Sequence, residues 1–289
     1  MQPALLVISS FAPGIFWLWF FLRSDKVHPS PKRLVISTFF LGMIWTVPAG
    51  LINTVFLSSE ITNNTATLSA IATGMLIVVG PVEETSKFLA VRFGAYRTRY
   101  FEDPVHGLVY ASAAALGFAS LENLIYVLQF GEGVMLVRAP ISTVAHLVFS
   151  SLWGYGLGVH QYHGRTRKRF LLVTLGGAAL LHATFNIALF SPVTWWLSPL
   201  IVLIGGIWAY RRFQWGQQIS PFRNRRNYPL IKCVHCHNDI RIISSFCPHC
   251  GTVVLAQHDE MICSNCCYPN RSNALYCQRC GDRFLTTRQ

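Results

Sequence analysis

Charged side chains are scarce in this sequence. Asp, Glu, Lys and Arg make up 12% of its 289 residues, whereas 52% are hydrophobic. A soluble domain carries about 25% charged residues. The shortage excludes an ordinary soluble globular protein over most of the chain, because the apolar residues form runs of about 20, the length that crosses a bilayer as a helix. The runs lie at roughly 3–22, 34–57, 69–93, 105–130, 139–160, 170–190 and 195–210. We therefore expect an all-α polytopic membrane protein with about seven transmembrane helices.

Basic residues are nearly absent from alternate links between these runs. The links near 58–68, 131–138 and 191–194 contain only Arg138. The other links are basic and hold Arg23, Lys26, Lys32, Arg33, Arg92, Arg97, Arg99, Arg165, Arg167, Lys168, Arg169, Arg211 and Arg212. Because basic residues favour the cytoplasmic side, this pattern predicts the N-terminus outside and the C-terminus in the cytoplasm. No basic residue precedes the first run, which therefore resembles a retained helix more than a signal peptide.

Cysteine is absent before residue 233, and all nine cysteines fall in the C-terminal tail. Eight of them form two matching C-x2-C-x10-C-x2-C units: Cys233, Cys236, Cys247, Cys250, and Cys263, Cys266, Cys277, Cys280. Four thiolates at such spacing present a tetrahedral site to one Zn²⁺. Disulfides are the alternative, but they are rare in the reducing cytoplasm. The tail therefore predicts a small double zinc ribbon with two structural Zn²⁺ ions.

The predicted domains follow from these patterns. Residues 1–210 form the membrane domain, 211–228 a basic juxtamembrane linker, and 229–289 a cytoplasmic double ribbon divided into 229–256 and 257–289. The tail from Arg211 onward is rich in Lys and Arg, which suits contact with membrane lipid headgroups. Nucleic-acid binding by the tail has weak support.

Within the membrane runs, ionisable residues are few and recur on successive helices. A charge at the bilayer centre costs about 2.5–3.5 kcal/mol on insertion scales, so two adjacent acids, Glu83 and Glu84, require a reason to be there. A rise of about 1.5 Å per residue brings polar side chains of the next helices to a similar depth in the outer half. These side chains are Glu122, His146, His182 and Asn186. The pattern predicts one shared site.

The same residues form motifs in a recognisable order. Glu83-Glu84-x-x-Lys87 is followed by Phe118-x-x-x-Glu122, then by His146, then by His182-x-x-x-Asn186. This order resembles the PrsW family of intramembrane proteases, within the CAAX-protease and bacteriocin-processing (Abi) superfamily. The resemblance covers roughly residues 1–210. The sister CAAX-protease branch has E-E-x-x-x-R and F-x-x-x-H, so Lys87 and Glu122 favour the PrsW branch.

The resemblance implies hydrolysis of a peptide bond of a membrane-anchored protein, such as an anti-sigma factor in bacterial relatives. Glu83 or Glu84 would activate water, and Glu122 would hold or tune the site. Orientation of the water or stabilisation of the oxyanion would fall to His146, His182 and Asn186, with Lys87 and Phe118 in support. It also implies a bacterial plasma membrane.

Two questions remain open at the level of sequence. The glutamates and histidines could ligate a catalytic Zn²⁺, but the absence of an H-E-x-x-H pair favours a metal-free glutamate mechanism. The same intramembrane acids would suit a proton- or ion-coupled transporter, although no inverted repeat is visible. Besides a protease and a transporter, the third alternative is a non-catalytic scaffold: the membrane part would only anchor the chain, and the ribbons would recognise a cytoplasmic protein.

Overall fold

A computed structural model gives the architecture. It describes residues 3–57, 67–98, 100–163, 166–220, 222, 230–241, 246–253, 260–262, 269–271, 276–277 and 281. Of the predicted zinc ligands, Cys263, Cys266 and Cys280 lie outside the described residues.

Seven long helices account for most of the described residues. They are α1 (Pro3–Ser24), α2 (Lys32–Phe56), α3 (68–93), α4 (Pro104–Phe130), α5 (135–162), α6 (Lys168–Phe190) and α7 (Leu197–Ile219). Single 3-10 turns, Ala95–Arg97 and Glu132–Val134, precede α4 and α5. Six helical segments in the described part of the chain are long and apolar enough to cross a membrane. The expectation of an all-α polytopic membrane protein is confirmed.

Helix α7 differs from the other six. It is not among the six segments long and apolar enough to cross a membrane, because its apolar run is short and is followed by Arg211 and Arg212. The helix nevertheless continues to Ile219, nine residues beyond the predicted boundary at 210. The first part of the predicted linker is therefore helical.

Helix α4 forms the centre of the bundle. Its residues from Pro104 to Ser120 are all buried, and it packs against α1, α2 and α5. Small residues make this possible: a Cβ on Gly117 would collide with the backbone carbonyl of Phe39 on α2, and one on Gly107 with that of Gly154 on α5. Such close backbone approach is common where membrane helices associate.

Two helices contain a π-helical turn just before a polar residue of interest. In α3 the turn Met75–Val79 separates Leu68–Gly74 from Gly80–Phe93, which carries the two glutamates. In α5 the turn Arg138–Ser142 separates Met135–Val137 from Thr143–Tyr162, which carries His146. Such turns widen the helix locally and are frequent at functional sites.

The described residues of the tail include two short antiparallel hairpins. Strand β1 (Leu230–Lys232) pairs with β2 (Asp239–Arg241), and β3 (Glu260–Ile262) pairs with β4 (Pro269–Arg271). The second hairpin begins thirty residues after the first, the same interval that separates the two cysteine units. The described core of the first ribbon is small and consists of Cys233, Ile240, Cys247 and Cys250.

The two ends of the bundle differ. The ribbon face is made by the link 25–31, by residues 98 and 100–103 before α4, and by the end of α7, and it contacts the first ribbon. The opposite end, the cavity end, is where α2, α4 and α6 finish and α3 and α5 begin.

Candidate active site

A cavity of about 690 Å³ opens between α2, α3, α4, α5 and α6 toward the cavity end. Six of the side chains predicted from sequence line it: Glu83, Phe118, Glu122, His146, His182 and Asn186. Glu84 and Lys87 lie behind this wall, and neither has any exposed surface. The structure thus brings the predicted residues of four helices to one place.

Glu84 accepts four hydrogen bonds. Its Oε1 accepts from Lys87 Nζ at 2.6 Å and from His182 Nδ1 at 2.9 Å. Its Oε2 accepts from Ser150 Oγ at 2.8 Å and from Trp153 Nε1 at 2.9 Å. A buried carboxylate with this many donors is well satisfied. Glu84 therefore connects three helices and has little capacity left for a water or a substrate.

Glu83 has the opposite environment. Its Oε1 accepts one hydrogen bond, from Asn53 Nδ2 at 3.3 Å. Its Oε2 is buried and has no hydrogen bond to any described residue. That oxygen lies 3.7 Å from His182 Nε2 and 3.8 Å from Lys87 Nζ. A buried polar atom without a partner is uncommon in a folded protein, so this oxygen is the part of the site suited to a water molecule or a reacting group.

Hydrogen bonds define the proton positions on both histidines. His182 Nδ1 faces the Glu84 carboxylate, so it donates and leaves the lone pair on Nε2 directed toward Glu83. His146 Nδ1 lies 2.8 Å from Lys87 Nζ. Because an ammonium group only donates, His146 Nδ1 accepts, and its Nε2 carries the proton and donates to Glu122 Oε2 at 2.9 Å.

Lys87 is the positive charge at the centre of the cluster. Besides Glu84 and His146, its Nζ lies 4.7 Å from the centroid of the Phe118 ring. A cation over a ring face gains about 2 kcal/mol when the pair is desolvated. Phe118 thus supports Lys87 from the α4 side, and its ring also lies 5.9 Å from that of His146.

A second cation, Arg138, supports the outer side of the cluster. Its Nη2 lies 2.5 Å from Glu122 Oε2, and its Nε donates to Asn123 Oδ1 at 2.8 Å. The guanidinium also lies 3.9 Å from the centroid of the Tyr126 ring. Asn123 in turn donates to Thr143 Oγ1 at 3.0 Å. Glu122 is therefore held between Arg138 and His146.

Three donor atoms of the cluster lie close enough to share a metal ion: one each from Glu83, His146 and His182, all within 4.8 Å of one another. Glu83 Oε2 and His182 Nε2 have free lone pairs and fit this role. His146 does not, because Lys87 occupies Nδ1 and Nε2 bears the proton given to Glu122. The Lys87 ammonium 3.8 Å from Glu83 Oε2 would also repel a metal cation. The donor set as arranged does not fit a three-ligand zinc site.

The first ribbon does fit zinc. Cys233, Cys236, Cys247 and Cys250 each offer a sulfur within 4.8 Å of the others. The Cys233–Cys250 and Cys236–Cys247 sulfurs are 3.7 and 3.5 Å apart. Tetrahedral Zn²⁺ with Zn–S distances of about 2.3 Å requires sulfurs at about this separation.

Several site residues are not apparent from the sequence motifs. Ser150 and Trp153 are four and seven residues after His146, so helical spacing places all three on one face of α5; that spacing was the available signal. Arg138 stands out in the sequence only as the one basic residue in the links near 58–68, 131–138 and 191–194. Asn53 gives no signal. Asn186, which was predicted, lines the cavity without a hydrogen bond to any described residue.

A buried cluster of carboxylates, imidazoles and an ammonium group beside a cavity, inside a polytopic helical bundle, suits a membrane-embedded enzyme with a hydrolytic site. Residues 30–209 match the family model described as "PrsW family intramembrane metalloprotease". The chain belongs to this family. Its class of activity is therefore that of an intramembrane protease, and not that of a transporter or an inert scaffold.

Curated relatives support the assignment. The chain is 30% identical to Protease PrsW of Oceanobacillus iheyensis over 208 residues, which cover 71% of this chain and 94% of that protein. It is 26% identical to Protease PrsW of Bacillus subtilis over 202 residues, 69% of this chain and 90% of that protein. The protease of the same name from Clostridioides difficile is 27% identical over 210 residues, 71% and 86% of the two chains. No solved structure matches.

The tail matches a second family model, "Double zinc ribbon", over residues 233–281. The predicted pair of ribbons is therefore confirmed, and zinc is their metal. The family description names metalloproteases and so favours a catalytic metal. The hydrogen bonds of His146 oppose metal binding by this residue.

Proposed function

We propose that the protein hydrolyses a peptide bond of a membrane-anchored protein in the cavity, with Glu83 as the general base that activates water. One observation carries this assignment: Glu83 Oε2 is buried, faces the cavity and has no hydrogen bond to any described residue. Glu84, its neighbour in sequence, already accepts four hydrogen bonds. The two glutamates therefore have different roles, one reacting and one orienting.

The proton positions support a simple sequence of steps. A water molecule on the cavity side of Glu83 Oε2 and His182 Nε2, which are 3.7 Å apart, can donate a hydrogen bond to each. As the water oxygen attacks the carbonyl carbon, its proton passes to Glu83. When the C–N bond breaks, Glu83 returns the proton to the leaving amine. The products are a carboxylic acid and an amine, which exchange a proton to give a carboxylate and an ammonium group.

Donors around the cavity suit the negative charge that develops on the carbonyl oxygen. Asn186 lies one helical turn after His182 and lines the cavity, so its amide is available to this oxygen. The Lys87 ammonium is close behind Glu83 and lowers the cost of negative charge in the site. His146 and Glu122 hold Lys87 and the outer wall in place. No step requires a bound metal.

We assign the protein to a bacterial plasma membrane, with the N-terminus outside and the ribbons in the cytoplasm. The basic links support this orientation, since their described residues lie at the helix ends opposite the cavity end. The cavity end would then face outward, and the substrate would be a protein with a membrane anchor, such as an anti-sigma factor. The zinc ribbons would serve to recognise a cytoplasmic protein.

Cleavage of a co-expressed membrane-anchored substrate tests the proposal. Glu83→Gln should insert into the membrane at normal levels and lose cleavage, because an amide cannot accept the proton from water. Glu132→Gln, in the link after α4 and outside the cavity lining, is the matched control and should cleave normally. Normal cleavage by Glu83→Gln would contradict the assignment.

A further inference from the structure

The first zinc ribbon is docked on the membrane domain. The amide of Lys32, at the start of α2, donates to the carbonyl of Pro248 at 3.3 Å. The hydroxyl of Tyr100, just before α4, donates to the carbonyl of Gly251 at 2.8 Å. Both acceptors belong to the turn around Cys247 and Cys250, which we call the second knuckle (246–251). The knuckle thus meets the start of α2 and the segment just before α4.

An aromatic side chain anchors the knuckle. Phe246 is only 2% exposed, and its ring lies 4.7 Å from that of Tyr100 and 5.3 Å from that of His28. Inside the ribbon, its described pairing is a single β-bridge with Val253. Full burial of a phenylalanine contributes about 1.5–3 kcal/mol. The rings that contact Phe246 come from the membrane domain, so release of the ribbon would expose it.

The surface that receives Phe246 joins the ends of several helices. His28 stacks on Phe222 at 3.7 Å, and its carbonyl accepts a hydrogen bond from His106 Nε2 of α4 at 2.9 Å. Next to it, Ser220 at the end of α7 donates to Asp103, the N-cap of α4. The knuckle therefore rests on a connected set of links and not on an isolated loop.

The shape of the knuckle depends on its cysteines. The amide of Gly251 donates to the carbonyl of Cys247 at 2.8 Å, and Gly251 adopts a φ of +74°, a conformation that favours glycine. Cysteine sulfurs and one isoleucine make up the described core of this ribbon. A module with so small a core is held by its metal. The positions of the Pro248 and Gly251 carbonyls are therefore set by zinc binding.

We propose that the ribbon face is a docking site for the zinc-loaded second knuckle of the chain's own first ribbon. Loss of that zinc releases the ribbon and loosens the link 25–31 and the residues 100–103 that it covers. The four-sulfur zinc site and the membrane domain are thereby coupled through Phe246 and the two hydrogen bonds. This coupling is independent of which residues cleave a peptide bond.

Amide hydrogen exchange on the purified full-length protein in detergent tests the docking. The Lys32 amide reports directly, because it donates to the knuckle. It should exchange roughly fivefold faster after a chelator has removed zinc, the change expected when a hydrogen bond worth about 1 kcal/mol is lost. Equal exchange at Lys32 in the loaded and stripped proteins, with zinc loss verified by metal analysis, overturns the proposal.

Variants separate docking from metal binding. Phe246→Ala should speed exchange at Lys32 while two zinc ions per chain remain, and Val234→Ala, at a site on the same ribbon that is 83% exposed, should change neither. If Phe246→Ala also loses zinc, Tyr100→Phe replaces it, since it removes the hydrogen bond to Gly251 from the membrane-domain side. Unchanged exchange at Lys32 in a zinc-loaded Tyr100→Phe protein would then count against docking.

Discussion

Arg138 Nη2 lies 2.5 Å from Glu122 Oε2 inside the membrane domain, and both side chains line the cavity. Arg138 is the one basic residue in the alternate links near 58–68, 131–138 and 191–194. Its position is explained by the ion pair and not by orientation in the membrane, because it is 8% exposed and also donates to Asn123. The Arg138 guanidinium holds the Glu122 carboxylate, which also accepts a hydrogen bond from His146 Nε2.

Replacement of Arg138 should therefore lower catalytic turnover without preventing substrate binding. In Arg138→Met, the Glu122 carboxylate loses its cation and can shift. His146 and Lys87 then shift as well, because His146 donates to Glu122 and Lys87 donates to His146. A displacement of about 1 Å in such a site costs about 100-fold in rate. Arg138→Lys should retain part of the activity, because a lysine supplies the charge but not the planar fork that reaches Glu122 and Asn123 together. Peptide cleavage kinetics on the purified protein separate kcat from KM.

A matched control for Arg138→Met is Arg33→Met, which removes an exposed arginine on the ribbon face. It should leave kcat unchanged. If Arg138→Met lowered only protein yield, and the folded fraction turned over normally, the ion pair would have a structural role alone.

The contrast between the two glutamates leads to a prediction about stability. Glu84→Gln leaves donors from Lys87, His182, Ser150 and Trp153 facing a neutral amide, and loss of one partner of a buried ion pair costs about 3–5 kcal/mol. Glu83→Gln replaces a carboxylate whose Oε2 has no hydrogen bond in the described structure, so its cost should be small. Thermal unfolding in detergent should show a clear drop in Tm for Glu84→Gln only. Equal Tm values for both variants would contradict the assigned roles.

Trp153 gives an independent check on the Glu84 network. Trp153→Phe keeps an aromatic ring in a fully buried position but removes the Nε1–H that donates to Glu84. Hydrogen bonds to charged groups contribute about 1.5–3 kcal/mol. The variant should unfold at a lower temperature than Trp195→Phe, which changes a tryptophan that is 58% exposed. A Tm equal to that of the control would mean that this donor contributes little.

Much of the site could be predicted from sequence because helical spacing is regular. Phe118 and Glu122, and likewise His182 and Asn186, are four residues apart, which places each pair on one face of its helix. The different roles of Glu83 and Glu84 could not be predicted in this way. Adjacent residues point about 100° apart on a helix, and the rotation of α3 against α5 decides which one meets Ser150 and which one meets the cavity.

The contact between the ribbon and the membrane domain was also beyond sequence reasoning. The cysteine spacing predicts the ribbon because the metal ligands are local. Phe246 and Tyr100 are separated by about half of the chain, and nothing in either segment marks them as partners. Phe246 finds its partners only because the fold of α1 to α4 places His28, between α1 and α2, near Tyr100, between α3 and α4.

Metal analysis discriminates between the two mechanisms. The hydrogen bonds of His146 predict that all tightly bound zinc belongs to the ribbons. The full-length protein should contain two zinc ions per chain, and a full-length variant with Cys247, Cys250, Cys277 and Cys280 replaced by serine should contain none. A zinc ion retained in that variant, and lost again in Glu83→Gln, would establish a metal site in the membrane domain and overturn the metal-free mechanism.

Asp25, in the link between α1 and α2, should make stability depend on pH. Burial raises its pKa to about 6, partly offset by nearby His106 and by hydrogen bonds from the Ser30 amide and hydroxyl. Since the unfolded pKa is 3.8, the folded state binds the proton more tightly, so the stabilisation is complete below pH 3.8 and is lost as the pH rises through about 6. The total is about 3 kcal/mol, from 1.36 kcal/mol per pKa unit. Asp25→Asn removes this titration. As the pH rises from about 4 to about 7, across the two pKa values, the Tm of the wild type should therefore fall relative to that of the variant. A difference that stays constant across that range would show that Asp25 titrates normally in the folded protein.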